Sequence, residues 1–402
     1  MPSPIQSEAE LYTLWNENCK PGVQFKTLRG TPVTVISSGQ RNRSSGPDFL
    51  NAVLLIDGDL TVGHVEMHLR EADWFAHNHQ HDSAYESVIL HVLAEVPDPL
   101  NVRLNIPTVG IDQLSEVRGE EFLENSSGSN PLPLLAELSW HRFLRRATEA
   151  IRREPYLPEE NQIEREFLIR LFDSLGYSAN RLPMKRLAER VFVNRQRMFG
   201  ADFDQVLGFV LSFSALPVER LARVAADTLA GVRLRGILPE EYLHEVDPDW
   251  NFRGRPANAP ERRVWAGAKL TFDLFNGTLL EEAFRNLRER SAHKTIRRLF
   301  LVPFGKEMLI GNSRADEIVV NALLPTALAA GILRGETDLI EGACLSYRNA
   351  PSLGENKVLR SVEKHLMVEE ALQGAFFQQG GIEFFQRVMN PDKSNLSMIA
   401  EG

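Results

Sequence analysis

The hydrophobic pattern of the chain changes character near residue 130. Before that point, apolar residues occur in short alternating runs between turn residues, which indicates β-strands. A short helix over 6–18 precedes these runs, with Leu11, Leu14 and Trp15 at helical spacing behind Ser7 as a cap. The predicted strands are 23–28, 32–37, 50–57, 60–69, 87–95 and 101–106.

After residue 134 the apolar residues follow a helical period almost to the end of the chain. The predicted helices are, approximately, 134–154, 160–175, 183–198, 203–213, 217–230, 261–275, 279–290, 316–332, 336–347 and 356–390. A run rich in Ser, Gly, Asn and Pro separates the two patterns. We therefore predict an α+β protein with an α/β domain over 1–124, a linker over 125–133 and a larger all-α domain over 134–402.

Charge is distributed unevenly between these two parts. The net charge of −9 argues at first against a nucleic-acid partner. Residues 1–125 hold 8 basic and 18 acidic side chains, whereas residues 142–298 hold 28 basic and 22 acidic ones. The acidic part can bind divalent cations, and the mildly basic part can contact phosphates. The basic excess is equally that of a solvated helical surface.

Cysteine use and hydropathy restrict the compartment. Cys19 and Cys344 are the only cysteines and form no C-x-x-C pattern, which excludes a thiolate zinc site and argues against a disulfide framework. The first twenty residues have no basic start followed by an apolar run, so we predict no signal peptide. No apolar stretch reaches the roughly 18–20 residues that span a bilayer. We expect a cytoplasmic protein without a membrane partner.

Histidines concentrate in one short part of the chain. Six of the ten lie between His64 and His91, and the strand predicted over 60–69 carries two of them. Because side chains alternate along a strand, His64, Glu66 and His68 share one face of it. The opposite face is apolar and can pack on a helix. The polar face therefore presents a carboxylate with one imidazole on each side of it.

A second carboxylate is expected beside Glu66. Asp57-Gly58-Asp59 predicts a tight hairpin, which places residues near Asp48 across from residues near His68. Asp48 and Glu66 then converge at one end of the sheet. Two carboxylates with a third polar group form a site for Mg²⁺ or Mn²⁺, with Zn²⁺ as the alternative. Such a site is typical of phosphodiester hydrolysis.

This site resembles that of the PD-(D/E)xK nuclease superfamily. The matching residues are Pro47, Asp48, Glu66 and the position of His68, where the superfamily usually has lysine. The resemblance implies a nuclease-like mixed sheet flanked by helices, with Asp48, Glu66 and His68 holding the metal. His68 would orient or deprotonate the attacking water, or bind the metal when neutral.

The resemblance also implies help from neighbouring elements. An acidic residue of the first helix often completes such a site; Glu10 is the first candidate, with Glu8 and Glu17 as alternatives. A glutamine or basic residue on the following segment often assists, and Gln80 is the nearest match.

The whole chain is also similar to an uncharacterised bacterial family, domain of unknown function 2851, from about Glu10 to about residue 390. That family brings no established activity. The most specific matching segments are GPDFLNA (46–52), GHVEMHLREADWFAHNHQHDSAYESVILHVL (63–93), LGYSAN (175–180), the RGRPANAPERR stretch after Trp250 and VVNALLPTALAAG (319–331).

The remaining histidines have two interpretations. One makes them groups that support the Asp48/Glu66 site or contact the substrate. The other is a zinc hydrolase of the metallo-β-lactamase kind, although His81-Asp82 inverts the order of that motif. His91 is also interpretable as a core histidine. The supporting residues of the first interpretation are His64, His77, His79, Asp82 and His91.

A loop in the helical part is rich in arginine. Arg253, Arg255, Arg262 and Arg263 can bind phosphates of a nucleic acid or tie loops to helix ends.

We expect a metal-dependent nuclease acting on nucleic acid, with DNA as the first choice of substrate. The helical domain would contact phosphates and offer a surface for a homodimer. The alternative is a catalytically inactive nucleic-acid-binding or scaffold protein on the same fold, which the histidine in place of lysine motivates. The His-rich zinc hydrolase is the third hypothesis.

Overall fold

The computed structural model describes residues 5, 7–99, 102–114, 131–152, 158–217, 220, 247, 249–253, 258–354, 357–367 and 372–390. The chain forms two compact units. One consists of Met1–Thr148, Gly331–Cys344 and Glu355–Gly402, and the other of Glu149–Ala330 and Leu345–Gly354. Most of the linker predicted over 125–133 lies outside the described residues. The predicted domain boundaries stay a prediction.

A seven-stranded mixed sheet is the centre of the first unit, in agreement with the expected α+β class. Strands β1, β2, β4, β5, β6 and β7 are neighbours in this order, and β3 pairs with β4. Pairs from β1 to β5 are antiparallel, whereas β5, β6 and β7 run parallel. The elements are α1 (Glu8–Asn18), β1 (Gln24–Lys26), β2 (Pro32–Ser37), β3 (Gln40–Arg41), β4 (Phe49–Ile56), β5 (Asp59–His68), α2 (Glu71–Ala76), β6 (Val88–Leu93) and β7 (Thr108–Gly110).

Helix α1 covers one face of this sheet. The Ser7 hydroxyl caps the helix by accepting the N–H of Glu10, as predicted. Leu11 and Trp15 are buried in one cluster with strand residues that include Val65 and Met67. Because β5 alternates, burying Val65 and Met67 against α1 turns Glu66 and His68 to the other face.

The hairpin predicted at Asp57 is confirmed. Ile56 pairs with Asp59, and the two residues between them have φ values of 53° and 81°, as a tight hairpin turn requires. Further along, the β4–β5 register shifts between Phe49 and Ala52. This β-bulge adds one residue to β4, which decides what faces Glu66.

The prediction of a strand over 101–106 is wrong. The N–H groups of Arg103 and Leu104 donate to the side chain of Glu71, at 2.7 and 3.0 Å, instead of to a neighbouring strand. The strand begins later, at Thr108, after Pro107. Two 3₁₀ turns, His79–His81 and Ser83–Tyr85, lie in the crossover from β5 to β6.

The rest of the described chain is mainly helical, as expected. Within the second unit, α4 packs along α5 and α6 packs along α7. The helices are α3 (Leu132–Arg152), α4 (Glu159–Leu175), α5 (Tyr177–Val193), α6 (Phe203–Phe213), α7 (Pro260–Phe275), α8 (Leu279–Arg288), α9 (His293–Arg298), α10 (Asn312–Ile318), α11 (Leu324–Arg334), α12 (Thr337–Arg348), α13 (Lys357–Leu366) and α14 (Gly374–Phe384). A small hairpin, β8 (Val302–Phe304) with β9 (Glu307–Ile310), was not expected.

Some helix boundaries differ from the predictions. The single helix predicted over 356–390 is divided into α13 and α14, with a π-helical turn at Phe385–Met389. Pro183 lies inside α5 rather than at its start, and the helix tolerates it through non-helical dihedrals at Asn180. Most of the helix predicted over 217–230 lies outside the described residues.

One described helix, the continuous run Asn312–Arg334, is long and apolar enough to cross a membrane by length and composition. The sequence analysis expected none of that length. Of its apolar stretch, 78% is buried inside the fold, as in the core helix of a soluble protein. The cytoplasmic location remains a prediction.

Candidate functional site

The bulge in β4 aligns Asp48 with Glu66. Phe49 pairs with Val65, so the residue before Phe49 lies across from the residue after Val65. The backbone N–H of Asp48 donates to Glu66 Oε2 at 3.1 Å. Asp48 Oδ2 in turn accepts the N–H of Met67 at 3.0 Å. The two acidic residues are therefore joined at the end of the sheet. Asp48 lies across from Glu66, and not across from His68, two residues further along β5.

Asp48 is surrounded by hydrogen-bond donors. Arg41 Nη1 donates to its backbone oxygen at 2.8 Å and to Oδ1 at 3.2 Å. The Arg41 guanidinium also lies 3.6 Å from the centre of the Tyr12 ring. Burial raises the pKa of Asp48, although the nearby Tyr12 hydroxyl, the hydrogen bond from the Met67 N–H and the charge of Arg41 oppose that effect. Asp48 is thus a positioned carboxylate with both oxygens already engaged.

Glu66 joins Asp48 to the imidazoles. Its side chain is nearly enclosed, and the residue is 5% exposed. While Oε2 binds Asp48, Oε1 lies 3.5 Å from His68 Nε2 and 3.4 Å from His79 Nε2. Burial and then the nearby charge of Asp48 raise the pKa of Glu66 to about 9. The Asp48 N–H and the charge of Arg41 oppose this effect without cancelling it, so Glu66 is protonated at neutral pH when no cation is bound beside it.

His68 lies at the centre of a chain of imidazoles. Its Nδ1 is 2.9 Å from His91 Nε2, and its Nε2 is 3.3 Å from His77 Nδ1. Burial, together with the neighbouring imidazoles, lowers the pKa of His68 and of His91 to about 3. Both rings are therefore neutral at pH 7, which is the form that binds metals.

Aromatic rings hold His79 in place. The Tyr85 ring stacks on His79 with centroids 3.7 Å apart, and Trp74 and His79 form a T-shaped pair with centroids 5.3 Å apart. The side chain of His79 is 10% exposed, and its Nε2 is buried without a hydrogen-bond partner in the described part of the chain. Glu66 Oε1 lies 3.4 Å away without forming a hydrogen bond.

These side chains can hold a metal ion. His68, His77 and His79 each offer a ring nitrogen, and the three nitrogens lie within 4.8 Å of one another. Glu66 adds a carboxylate oxygen next to two of them. The structure therefore brings together Glu66, His68, His77 and His79 as one set of ligand atoms.

Of three other predicted residues, two make local hydrogen bonds and the third is exposed. His64 Nδ1 accepts the N–H of Asn51, which is the bulge residue with φ of 57°. Asp82 Oδ1 accepts the N–H of Ala84 and thereby caps the 3₁₀ turn that carries Tyr85. Gln80 is exposed.

In the first helix, Glu8 rather than Glu10 is the carboxylate next to the site. Glu8 Oε2 accepts the Tyr12 hydroxyl at 3.3 Å, and the charge of Glu8 contributes to the raised pKa of Asp48 and of Glu66. Glu10 is exposed. One helical turn separates Glu8 from Tyr12, which explains why these two side chains meet.

The arginines proposed to bind phosphate have different surroundings. Arg263 is buried and donates to the backbone oxygen of Leu309 at 2.6 Å and to the Tyr177 hydroxyl at 2.7 Å. Arg262 donates to Glu307 at 2.5 Å. Arg253 is exposed, and Arg255 lies outside the described residues. The bonds of Arg262 and Arg263 match the alternative interpretation, in which arginines tie loops to helix ends.

Sequence reasoning missed Tyr12, Arg41 and Tyr85. Tyr12 follows a core leucine at a half-buried position of α1, and Arg41 lies on the short strand β3, which was not predicted. Tyr85 lies among polar residues in the crossover. A four-residue spacing from Glu8 was the one available signal for Tyr12.

The chain belongs to the family described as "Protein of unknown function (DUF2851)", whose model matches residues 8–355. No curated protein and no solved structure matches it. The matched range includes every element of the site described above.

Proposed function

We propose that this protein is a metal-dependent phosphodiesterase that hydrolyses nucleic acid, with DNA as the expected substrate. The observation that carries the proposal is the contact of Asp48, Glu66 and His68 at the end of neighbouring strands. A buried acidic pair beside a neutral imidazole forms a binding site for a divalent cation. It supports the interpretation of Pro47-Asp48 and Glu66-x-His68 as a metal site.

The order of elements supports the same proposal. A helix comes first, followed by antiparallel strands up to β5, a helical crossover and the parallel strand β6. The resemblance to PD-(D/E)xK nucleases implies such a sheet, with the acidic residues on two adjacent strands. Here Asp48 directly precedes β4, Glu66 lies on the adjacent β5, and the segment of α2 links β5 to β6.

Hydrolysis joins a water oxygen to phosphorus and breaks the bond from phosphorus to one sugar oxygen. One proton passes from the water to that departing oxygen through protein or solvent groups. A bound divalent cation polarises the phosphoryl group and lowers the pKa of a bound water. Arg41 and Met67 hold Asp48 in position, and Glu66 links Asp48 to the imidazoles.

His68 differs in chemistry from the lysine usual at its position. Because burial keeps its pKa at about 3, His68 is neutral at pH 7 and cannot supply the positive charge of a lysine. It can accept a proton or bind the metal. This difference keeps open the alternative of an inactive nucleic-acid-binding or scaffold protein, while the three clustered imidazoles favour a zinc hydrolase as the second enzymatic candidate.

The test is cleavage of labelled single-stranded, duplex and branched DNA and of RNA, with Mg²⁺, Mn²⁺ or Zn²⁺. Asp48→Asn and Glu66→Gln keep the side-chain volume and remove the charge. We expect each to lower the cleavage rate by on the order of 10²–10⁴-fold, the range for loss of a group that assists proton transfer or stabilises charge.

The matched control is Glu86→Gln, which changes an exposed carboxylate of the same crossover. It should cleave at the wild-type rate, and circular dichroism should show the same fold for all variants. Cleavage that survives both Asp48→Asn and Glu66→Gln would overturn the proposal. Absence of cleavage by the wild type with all three metals would overturn it as well.

A further inference from the structure

We infer that Glu66, His68, His77 and His79 form a zinc-binding centre on the imidazole side of Glu66. The inference deepens the proposed function and rests on it for what the ion does there. Binding of the ion itself is measurable without any nucleic acid. The sequence analysis assigned the metal to Asp48, Glu66 and His68, so this set of ligands is different.

The spacing of the ligand atoms carries the inference. In a tetrahedral zinc site, bonds of about 2.0–2.1 Å place neighbouring ligand atoms about 3.3 Å apart. His68 Nε2 lies 3.3 Å from His77 Nδ1 and 3.5 Å from Glu66 Oε1, and His79 Nε2 lies 3.4 Å from that same oxygen. These three separations are close to the edges of such a tetrahedron.

The types of donor atom select the metal. Three imidazole nitrogens and one carboxylate oxygen suit Zn²⁺, whereas Mg²⁺ prefers a shell of oxygen atoms. Asp48 cannot complete an oxygen shell without competition, because its oxygens already accept from Arg41 and Met67. The imidazole side of Glu66 is therefore the better position for an ion.

His79 Nε2 is an independent observation that points to a ligand. Its side chain is nine-tenths buried, and within the described residues that nitrogen has no hydrogen-bond partner. A buried polar atom without a partner is unfavourable, because it has lost its hydrogen bond to water and gained none in return. The stacked Tyr85 ring and the T-shaped contact with Trp74 fix the plane of His79, so the nitrogen remains directed toward Glu66.

His91 is the positioning residue of this centre. Its Nε2 lies 2.9 Å from His68 Nδ1 and is fully buried. When His68 binds the ion through Nε2, its Nδ1–H donates to His91, which fixes the tautomer and the orientation of the ring. A carbonyl or carboxylate usually takes this role in zinc sites, and here an imidazole does.

The competing explanation is a chain of histidines linked only by hydrogen bonds. The test is a titration of chelator-treated, full-length protein with Zn²⁺ by calorimetry, with and without excess Mg²⁺. Titration with Co²⁺ reports the geometry through the visible absorption of a tetrahedral ion. We expect one Zn²⁺ per chain, retained against excess Mg²⁺, with tetrahedral Co²⁺ bands and a raised Tm of the wild type on zinc binding.

Variants assign the ligands. His77→Gln and His79→Gln should weaken zinc binding by more than about 100-fold, and His91→Gln by about 10–100-fold, the usual cost of losing a partner of a ligand. His81→Gln is the matched control, because His81 lies in the same 3₁₀ turn as His79 and is exposed. It should bind zinc like the wild type and retain the cobalt spectrum.

Two outcomes overturn the centre: a wild type that binds no Zn²⁺, or His77→Gln and His79→Gln variants that bind it as the wild type does. Zinc binding without cleavage of any nucleic acid would support the centre and remove the proposed function. Cleavage with Mg²⁺ in a wild type that binds no Zn²⁺ would remove the centre and leave the proposed function.

Discussion

Two buried glutamates of the first unit, Glu66 and Glu383, have opposite surroundings. Glu383 is 2% exposed and lies on α14 among cationic side chains. Arg142, Arg145 and Arg387 approach its carboxylate at 3.4, 3.0 and 2.9 Å. Burial alone would raise the pKa of Glu383, but the adjacent His141 ring, 3.7 Å away, and the three arginines hold it well below its ordinary value.

Glu66 is similarly buried, but the charges and hydrogen bonds around it compensate much less for that burial. Its nearest charged neighbour is Asp48, and the imidazoles of His68 and His79 beside it have lowered pKa values and are neutral. Burial therefore raises the pKa of Glu66 to about 9, whereas the pKa of Glu383 is lowered. The protein neutralises the charge of Glu383 with three arginines, whereas Glu66 has only the Asp48 N–H and the more weakly acting charge of Arg41 to oppose the effect of burial.

The difference distinguishes a carboxylate that is paired within the fold from one that we propose binds a cation. A buried charge is stable only when it is paired or bound to a metal. Glu383 meets this condition within the fold, so its network is expected to stabilise α14 against α3. Glu66 avoids the buried charge by retaining a proton at neutral pH, and in the proposed metal centre a bound cation would take the place of that proton.

The largest effect on folding is expected at Glu383. Glu383→Gln removes the charge that the three arginines share and should lower the free energy of unfolding by about 3 kcal/mol. Glu66→Gln, in the metal-free protein at pH 5, where the unfolded chain has only begun to release the proton that folded Glu66 retains, should change it by no more than about 1 kcal/mol, the size of one hydrogen bond. Urea unfolding measures both, with Glu86→Gln as an exposed control. A larger loss for Glu66→Gln would show that the comparison is wrong.

Opposite pH dependences are the next effect. Between its ordinary pKa of 4.5 and about 9, folded Glu66 retains a proton that the unfolded chain releases. Raising the pH through this range should therefore destabilise the metal-free wild type, and Glu66→Gln should reduce that slope. Zinc, if bound, should reduce it as well. Urea midpoints measured from pH 5 to pH 9 test this expectation, and identical slopes in wild type and variant would contradict it.

Glu383 should act at the acidic end of the scale. Its depressed pKa keeps it ionised in the folded protein below the ordinary value of 4.5, where the unfolded chain binds a proton. Its stabilising contribution is complete above that value and is lost as the pH falls below it. Unfolding from pH 5 down to pH 3 should therefore be less steep for Glu383→Gln. Equal steepness would indicate that the arginines do not lower its pKa.

The smallest effect distinguishes Glu8 from Glu10. Glu8 raises the pKa of both acidic site residues and accepts the Tyr12 hydroxyl, whereas Glu10 is exposed. We expect Glu8→Gln to change the cleavage rate by about 10-fold, below the range for a group that takes part in proton transfer. Glu10→Gln should change it less. The reverse order would restore Glu10 as the acidic residue of the first helix.

Much of the β-sheet could be predicted because its signals are local. The strands 32–37 and 60–69 and the turn at Asp57 follow from alternation and turn chemistry, and the structure has them within one residue. The strand predicted over 101–106 failed because Glu71, thirty residues earlier, takes its backbone N–H groups. The division of 356–390 into two helices also left no clear local signal.

Several residues of the candidate site could be named from the sequence, but their arrangement could not. Alternation along β5 was enough to place Glu66 and His68 on one polar face. The bulge that aligns Asp48 with Glu66, and Arg41 on an unpredicted strand, depend on pairing between strands. His77 and His79 were expected to support the site, and only the turn after α2 brings their nitrogens next to His68.

The amino-acid sequence by itself determined the α+β class, the apolar and polar faces of β5, and the histidine-rich segment that follows it. These features depend on residues near one another in the chain, where side-chain period and turn preference act directly. The tertiary structure alone decided which carboxylate has its charge neutralised. Glu383 and Glu66 are the same type of residue, but folding brings arginines from two helices to Glu383 and neutral imidazoles to Glu66. The pKa of a buried group depends on those neighbours.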